Sequence, residues 1–265
     1  LDFCGQSRGR LNIVGIGPGN SEWRTPSVTD AIRRSSDVIG YHLYLTLLGN
    51  LLDGKNCHPS ELSEEIDRVE KALTLSSKGL EVVLVCSGDA GIYALATLVF
   101  ESIHTKNRLD WNRVDVVVEP GISAIQAAAA KAGAPIGHDF CTISLSDLLT
   151  PWEQIECRIN AAGKGDFVIG FYNPVSKQRY VQLEAAKKIL LGYRTPETPV
   201  ILARNIGRIG EKVTFVKLGD LTSEMADMLT IVIIGNSQSF FVEYGSCSRV
   251  YTPRGYANKS LANSL

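Results

Sequence analysis

The chain has 265 residues, a formal net charge of −1 and 45% hydrophobic residues, enough to bury a sizeable core as one large domain or two smaller ones. The balanced charge argues against a nucleic-acid-binding or acidic-membrane surface. With no run of about 18 apolar residues and no signal-peptide pattern, a soluble, cytoplasmic protein is expected.

The chain starts at Leu1, which suggests an excerpt or a processed protein, and residues 1–10 read as a disordered lead-in. From there, short β-rich runs alternate with helical spacing. Strands are expected at 11–15, 37–41, 81–86 and 114–118, and helices over Thr25–Arg34, Ser63–Lys78 and Ile92–Ile103. Ser63 is placed to cap its helix, with Ile66, Val69 and Leu73 as the apolar stripe. After Glu119-Pro120-Gly121 an alanine-rich helix covers Ser123–Ala132. A second series follows, with strands near 140–144, 166–172, 198–203, 212–217 and 230–235 and a helix over 178–191. This alternation reads as α/β. The change of series near 118–122 divides it into an N-terminal α/β domain, 11–119, and a C-terminal one, 120–256, with a ligand cleft expected between them.

Two segments stand out chemically. Leu11-Asn12-Ile13-Val14 runs into Gly15-Ile16-Gly17-Pro18-Gly19-Asn20, and Val83-Leu84-Val85-Cys86 runs into Ser87-Gly88-Asp89-Ala90-Gly91-Ile92-Tyr93. Strand-to-glycine junctions of this kind put backbone N–H groups at the end of a sheet, where a nucleotide-like ligand can sit. The first loop is a poor dinucleotide fingerprint. Asn20 replaces the third glycine, Asp37 begins its strand instead of ending it, and Pro18 removes a donor. Two readings fit Asp89: a helix N-cap or a ligand contact. The six cysteines (Cys4, Cys57, Cys86, Cys141, Cys157, Cys247) are scattered without a CxxC pair, so reduced thiols are expected and no metal site.

Taken in order, GIGPG at 15–19, SGDAGIY at 87–93, EPGISA at 119–124 and IVIIGNS at 231–237 resemble the tetrapyrrole methylase family. Ser144–Trp152, Phe171–Pro174 with Ser176-Lys177, Ala203-Arg204-Asn205 and Thr252–Tyr256 resemble its cobalamin-pathway branch. The resemblance implies two α/β domains and S-adenosylmethionine as cofactor. It implies methylation at C17 of a precorrin-3B or cobalt-factor III macrocycle, with ring contraction, by a homodimer. It also implies cofactor contacts at Pro18, Gly88, Asp89, Ile92, Tyr93, Ser123 and Ala124, and at Tyr172, Asn205 and Thr230 in the second domain.

A sulfonium methyl is already activated, so the protein has to align the reactants and exclude water. A polycarboxylate substrate calls for Arg and Lys. Arg24, Lys55, Lys177, Arg179, Arg204, Arg208 and Arg254 lie in or beside loops, each either a substrate contact or a solvated surface charge. For acid–base help, His42 stands where relatives carry an acid after the second strand, and Lys55 aligns loosely with a lysine of the same relatives. Either could instead be structural. His58, His104 and His138 read as structural or exposed. The alternatives are a methylase of the same fold with an earlier tetrapyrrole, protein or RNA target, a nicotinamide-dependent oxidoreductase, and a non-catalytic binding module.

Overall fold

A computed structural model describes residues 7–176 and 179–256. The chain divides into two compact units, residues 1–124 and 125–265.

The first unit is a parallel sheet with helices on both faces. In chain order it contains β1 (Arg10–Gly15), α1 (Pro26–Arg34), β2 (Asp37–Tyr41), α2 (His42–Thr46), β3 (Asn56–Ser60), α3 (Glu65–Ser77), β4 (Glu81–Cys86), α4 (Leu95–Lys106), α5 (Leu109–Asn112) and β5 (Asp115–Glu119). The strand order is β3-β2-β4-β1-β5, all parallel. Strand β4 shows why its sequence is an unbroken apolar run. Val82 and Leu84 pack with Leu11, Ile13, Val69, Leu73 and Trp111 on one face. Val83 and Val85 pack with Val14, Val28, Ala31 and Ile32 on the other. A strand covered on both sides loses the alternation of a half-exposed one. Burying each of its four aliphatic side chains contributes roughly 1.5–3 kcal/mol.

Helix α1 starts as its sequence suggests. Thr25 Oγ1 accepts from the Val28 amide at 3.4 Å, and Pro26 occupies the first turn. Its C-terminal end is held by Lys55, whose Nζ donates to the carbonyls of Arg33 (3.0 Å) and Ser35 (2.7 Å).

Several expectations fail in this unit, and β3, α2 and α5 lie outside the expected elements. Ser63 does not cap α3; it sits at φ 69°, and the Glu64 and Glu65 carboxylates accept the amides of Glu61 and Ser63 instead. Ile66 is exposed while Arg68 is buried, so the inward stripe runs through Arg68, Val69, Ala72, Leu73 and Ser76. Arg10 belongs to β1 and pairs with Asp115 at 2.7 Å, so the expected disordered lead-in does not extend to residue 10, and residues 1–6 lie outside the described residues.

The second unit contains α6 (Ala124–Ala132, whose first residue closes unit 1), β6 (Gly133–Ala134), β7 (Phe140–Ser144), α7 (Trp152–Lys164), β8 (Val168–Tyr172), α8 (Val181–Leu190), β9 (Pro199–Arg204), β10 (Lys212–Lys217), β11 (Thr230–Ile234), β12 (Phe240–Tyr244) and β13 (Cys247–Tyr251). Its main sheet runs β10-β9-β11-β8-β7, with β7 and β8 parallel and the other pairings antiparallel. A smaller sheet joins β12, β13 and β6. The core gathers Ile155 and Ile159 of α7, Leu183 and Leu190 of α8, and Ile169, Phe171, Val200 and Val232 of the sheet. Helix α7 and the β12–β13 hairpin are absent from the sequence reading. In α7 the inward positions Ile155, Ile159 and Ala162 are separated by a largely polar sequence.

Candidate functional site

The loops that follow three neighbouring strands, β4, β1 and β5, meet at the C-terminal end of the first sheet, the usual ligand end of a parallel sheet. Gly17 and Gly88 pair as an isolated bridge: the Gly17 amide donates to the Gly88 carbonyl at 3.1 Å, and the Gly88 amide donates back to Gly17 at 2.8 Å. The Gly88 carbonyl is enclosed by glycine. A Cβ on Gly15 would stand 2.5 Å from it, and one on Gly121 would stand 2.2 Å from it and 2.3 Å from the Gly15 carbonyl. Only residues without a side chain let the three backbones approach this closely.

Asp89 ties the junction together. Its Oδ1 accepts from the Gly91 amide at 2.8 Å and its Oδ2 from the Gly121 amide at 3.0 Å. It does not cap α4, which begins six residues later at Leu95 with no side-chain cap. The carboxylate therefore joins the loop after β4 to the loop after β5. Pro18 and Gly88 are buried, Ser123 is nearly inaccessible, and Ala124 lies against Gly88. Ile92 and Tyr93 stand exposed at the rim, in loop and not in helix as read, with Tyr93 at φ 51°. The structure thus brings together the seven cofactor candidates of this unit.

The glycine loop after β1 has few donors left for an anion. The Ile16 amide goes to the Cys86 carbonyl at 2.9 Å, the Gly17 amide goes to Gly88, and Pro18 has none. No long helix opens on this loop, since α1 starts only at Pro26. A pyrophosphate needs a row of free amides at a helix N-terminus. A ligand without phosphate, such as S-adenosylmethionine, makes no such demand, so these residues fit it better than a dinucleotide.

In the second unit, Tyr172, Asn205 and Thr230 share one end of the main sheet. Tyr172 ends β8, and its hydroxyl accepts from the Ile125 amide of α6 at 3.2 Å. Thr230 starts β11 opposite Arg204, and the Asn205 amide donates to the Leu229 carbonyl at 3.1 Å. Thr230 Oγ1 donates to Asp227 Oδ1 at 2.7 Å, while Arg204 Nε reaches Asp227 Oδ2 at 2.6 Å. Burial disfavours the Asp227 charge, but the hydrogen bonds from Thr230 and Arg204 outweigh it and hold the carboxyl below its ordinary range.

The acid–base candidates have other surroundings. Lys55 spends two of its three donors on the α1 carbonyls, a structural task. His42 packs edge-on against Tyr41, with Nδ1 3.2 Å from Glu61 Oε1, and lines a shallow depression with Leu45, Cys57 and Pro59. None of the glycine-loop residues lines that depression. His58 is structural: its Nε2 lies 2.8 Å from buried Asp37.

Of the basic candidates, Arg179 is buried and donates to the carbonyls of Leu145 (2.9 Å) and Asn173 (2.6 Å), pinning two loops. Burial lowers its guanidinium from the ordinary arginine range, and Asp147 offsets part of that. Arg24 donates to Thr29 at 3.2 Å. Arg204 is paired with Asp227, Arg208 lies half-buried and Arg254 is exposed. Lys177 lies outside the described residues.

The sequence reading passed over Arg68. A charged residue falling inside the apolar stripe of α3 was the signal for it.

Comparison with known proteins agrees with this architecture. The family described as Tetrapyrrole (Corrin/Porphyrin) Methylases matches residues 10–222. The chain is 43% identical over 97% of its length to the cobalt-factor III methyltransferase of Priestia megaterium, and spans about half of that longer protein (47%). It is 42% identical to the precorrin-3B C(17)-methyltransferase of a Sinorhizobium species, covering 95% of this chain and 99% of the relative. The crystal structure of the methyltransferase CobJ superposes with a TM-score of 0.85 at 39% identity, covering 92% of this chain and all of that one. The chain belongs to the tetrapyrrole methylase family.

Proposed function

We propose that this chain transfers the methyl group of S-adenosylmethionine to C17 of a precorrin-3B or cobalt-factor III macrocycle, with ring contraction, in cobalamin biosynthesis. The observation that carries the reading is the match to the Sinorhizobium enzyme along nearly the whole of both chains. The proposal includes a homodimeric, cytoplasmic protein whose partner is a tetrapyrrole and not a nucleic acid, in keeping with the net charge of −1.

Bound S-adenosylmethionine supplies a methyl group already activated on a sulfonium centre. In the first unit, Pro18, Gly88, Asp89, Ile92, Tyr93, Ser123 and Ala124 would hold it. Tyr172, Asn205 and Thr230 keep the cofactor-binding role expected of them. The enclosed glycine backbone is rigid, so the orientation of the cofactor is fixed before the acceptor arrives, the condition under which proximity lowers a barrier. Arg204, Arg208 and Arg254 are the proposed contacts for substrate carboxylates. We assign no base role to Lys55, which donates to the Arg33 and Ser35 carbonyls, or to His42, whose Nδ1 lies beside Glu61.

The test is incubation with methyl-labelled S-adenosylmethionine and each macrocycle in parallel. Label at C17 of one of them is the expected result, and which one accepts it identifies the substrate. A chain that binds S-adenosylhomocysteine in a calorimetric titration yet labels neither macrocycle refutes the C17 assignment. Preference for NAD in the same titration refutes the methyltransferase reading itself.

A further inference from the structure

Beside the glycine junction, the first unit holds a second recess, a pocket of about 150 Å³ lined by Tyr41, Tyr44, Leu62, Arg68, Cys86 and Tyr93 among others. It opens at the C-terminal ends of β2 and β4 and shares Tyr93 with the proposed cofactor loop. It is far too small for a macrocycle but roomy enough for a short side arm.

Arg68 is its unusual member. The residue is only 5% exposed, yet its guanidinium is held by neutral acceptors alone: Nε donates to Ser60 Oγ at 2.6 Å and Nη2 to the Glu61 carbonyl at 2.7 Å. Among the described residues no carboxylate lies within ion-pair distance of it. The pocket's other charged side chain, Glu65, accepts the Ser63 amide instead. A buried cation without a counter-charge is costly in a folded protein. The two fixed bonds orient the guanidinium, and the surrounding tyrosines give the pocket apolar walls with hydroxyl tips. An arginine so held is built to receive a carboxylate.

We infer that this pocket binds a peripheral carboxylate arm of the tetrapyrrole substrate, with Arg68 as the residue that recognises it. This assignment rests on the methylase reading above and adds a specificity-determining residue to it. The arm enters between the tyrosines and its carboxylate meets the guanidinium of Arg68, fixing the rotation of the ring relative to the loop that carries Tyr93.

The experiment is fluorescence titration of the full chain, saturated with S-adenosylhomocysteine, with uroporphyrin III, a ring bearing acetate and propionate arms. Arg68→Met keeps the bulk and removes the charge. It should weaken porphyrin binding between about ten- and a hundred-fold, the usual span for losing a charge-assisted hydrogen bond, and leave S-adenosylhomocysteine affinity unchanged. Arg68 also fastens Ser60 and Glu61, so a second variant avoids the fold. Leu62, at the exposed rim, becomes an acid in Leu62→Glu, which should weaken the porphyrin several-fold, whereas Leu62→Gln should not.

Porphyrin affinity unchanged in both Arg68→Met and Leu62→Glu overturns the inference and leaves the methylase reading intact. So does a wild-type chain that binds S-adenosylhomocysteine but not the porphyrin. Failure to bind S-adenosylhomocysteine at all sinks the methylase reading instead.

Discussion

Replacing Gly121 by alanine tests the glycine junction directly. The added Cβ would stand 2.2 Å from the Gly88 carbonyl oxygen, 2.3 Å from that of Gly15 and 2.6 Å from the Gly15 carbonyl carbon. All three are backbone atoms, and Gly15 and Gly88 are themselves held by the sheet and by the Gly17–Gly88 bridge. No side chain can swing away, so β5 must move from β1. Overpacking typically costs 1–3 kcal/mol, and a site with rigid backbone on two sides lies at the top of that range, about 3 kcal/mol. For a chain of this size that lowers the melting temperature by roughly 6–12 °C. Gly88→Ala is the contrasting variant. Its Cβ would meet nothing closer than 3.8 Å, but φ is +67°, so its cost is conformational, about 1–2 kcal/mol. Differential scanning calorimetry gives both shifts, and titration with S-adenosylhomocysteine should show more than tenfold weaker binding for Gly121→Ala. A Gly121→Ala protein that melts within roughly 1 °C of wild type and binds normally would refute the close-approach account.

Three further outcomes are expected. Lys55→Met should lose about 1–3 kcal/mol of stability through two lost bonds to helix carbonyls, measurable by urea unfolding, and keep its methyl-transfer rate. A normally stable variant with no turnover would restore Lys55 to the chemistry. At Asp37, burial works against the charge, but hydrogen bonds from His58, Ser36 and Asn56 and the attraction of His58 outweigh it, leaving the carboxyl below 3.8. Its folded pKa is thus depressed, so its contribution is fully present above pH 3.8 and fades as pH falls through the native value. An Asp37→Asn protein should therefore be less stable at neutral pH and show a flatter acid limb below that point, and identical acid limbs would exclude the effect. Burial pushes the Cys86 thiol up to about 11, so iodoacetamide at pH 8 should label exposed Cys57 and Cys157 and spare Cys86. Equal labelling of Cys86 in the native protein would contradict its placement.

The first unit was the easier half to read from sequence, and β4 shows why. A run of four aliphatics and a cysteine between a charged residue and Ser-Gly-Asp reads as a strand buried on both faces with a turn at its end. The loops at 15–19, 87–93 and 119–124 stand out in the sequence as a candidate site, but not what they do to one another. Nothing local in Asp89 says that it will accept an amide from Gly121, 32 residues away. Local pattern leaves a helix cap and a ligand contact equally open, and the tertiary contact with Gly121 is neither. The same holds for Lys55 and Arg179, whose loop positions suggested solvent or substrate. Their ammonium and guanidinium groups serve backbone carbonyls that the sequence does not place. Helix α7 escaped because so little of its surface is apolar, and the β12–β13 hairpin because Phe240, Phe241, Tyr244 and Tyr251 all stay partly exposed.

The pairing of Gly17 with Gly88 and the seat of Gly121 against both neighbouring loops have a consequence for biosynthesis. A ribosome that has released the chain only through Gly88 has delivered the bridge but not its third wall. The amide that Asp89 must hold arrives with residue 121. The contacts that join the three loops span tens of residues, so their loop-closure entropy is lost before any of it is repaid. A nascent chain would lack the closed junction until residue 121 has been made.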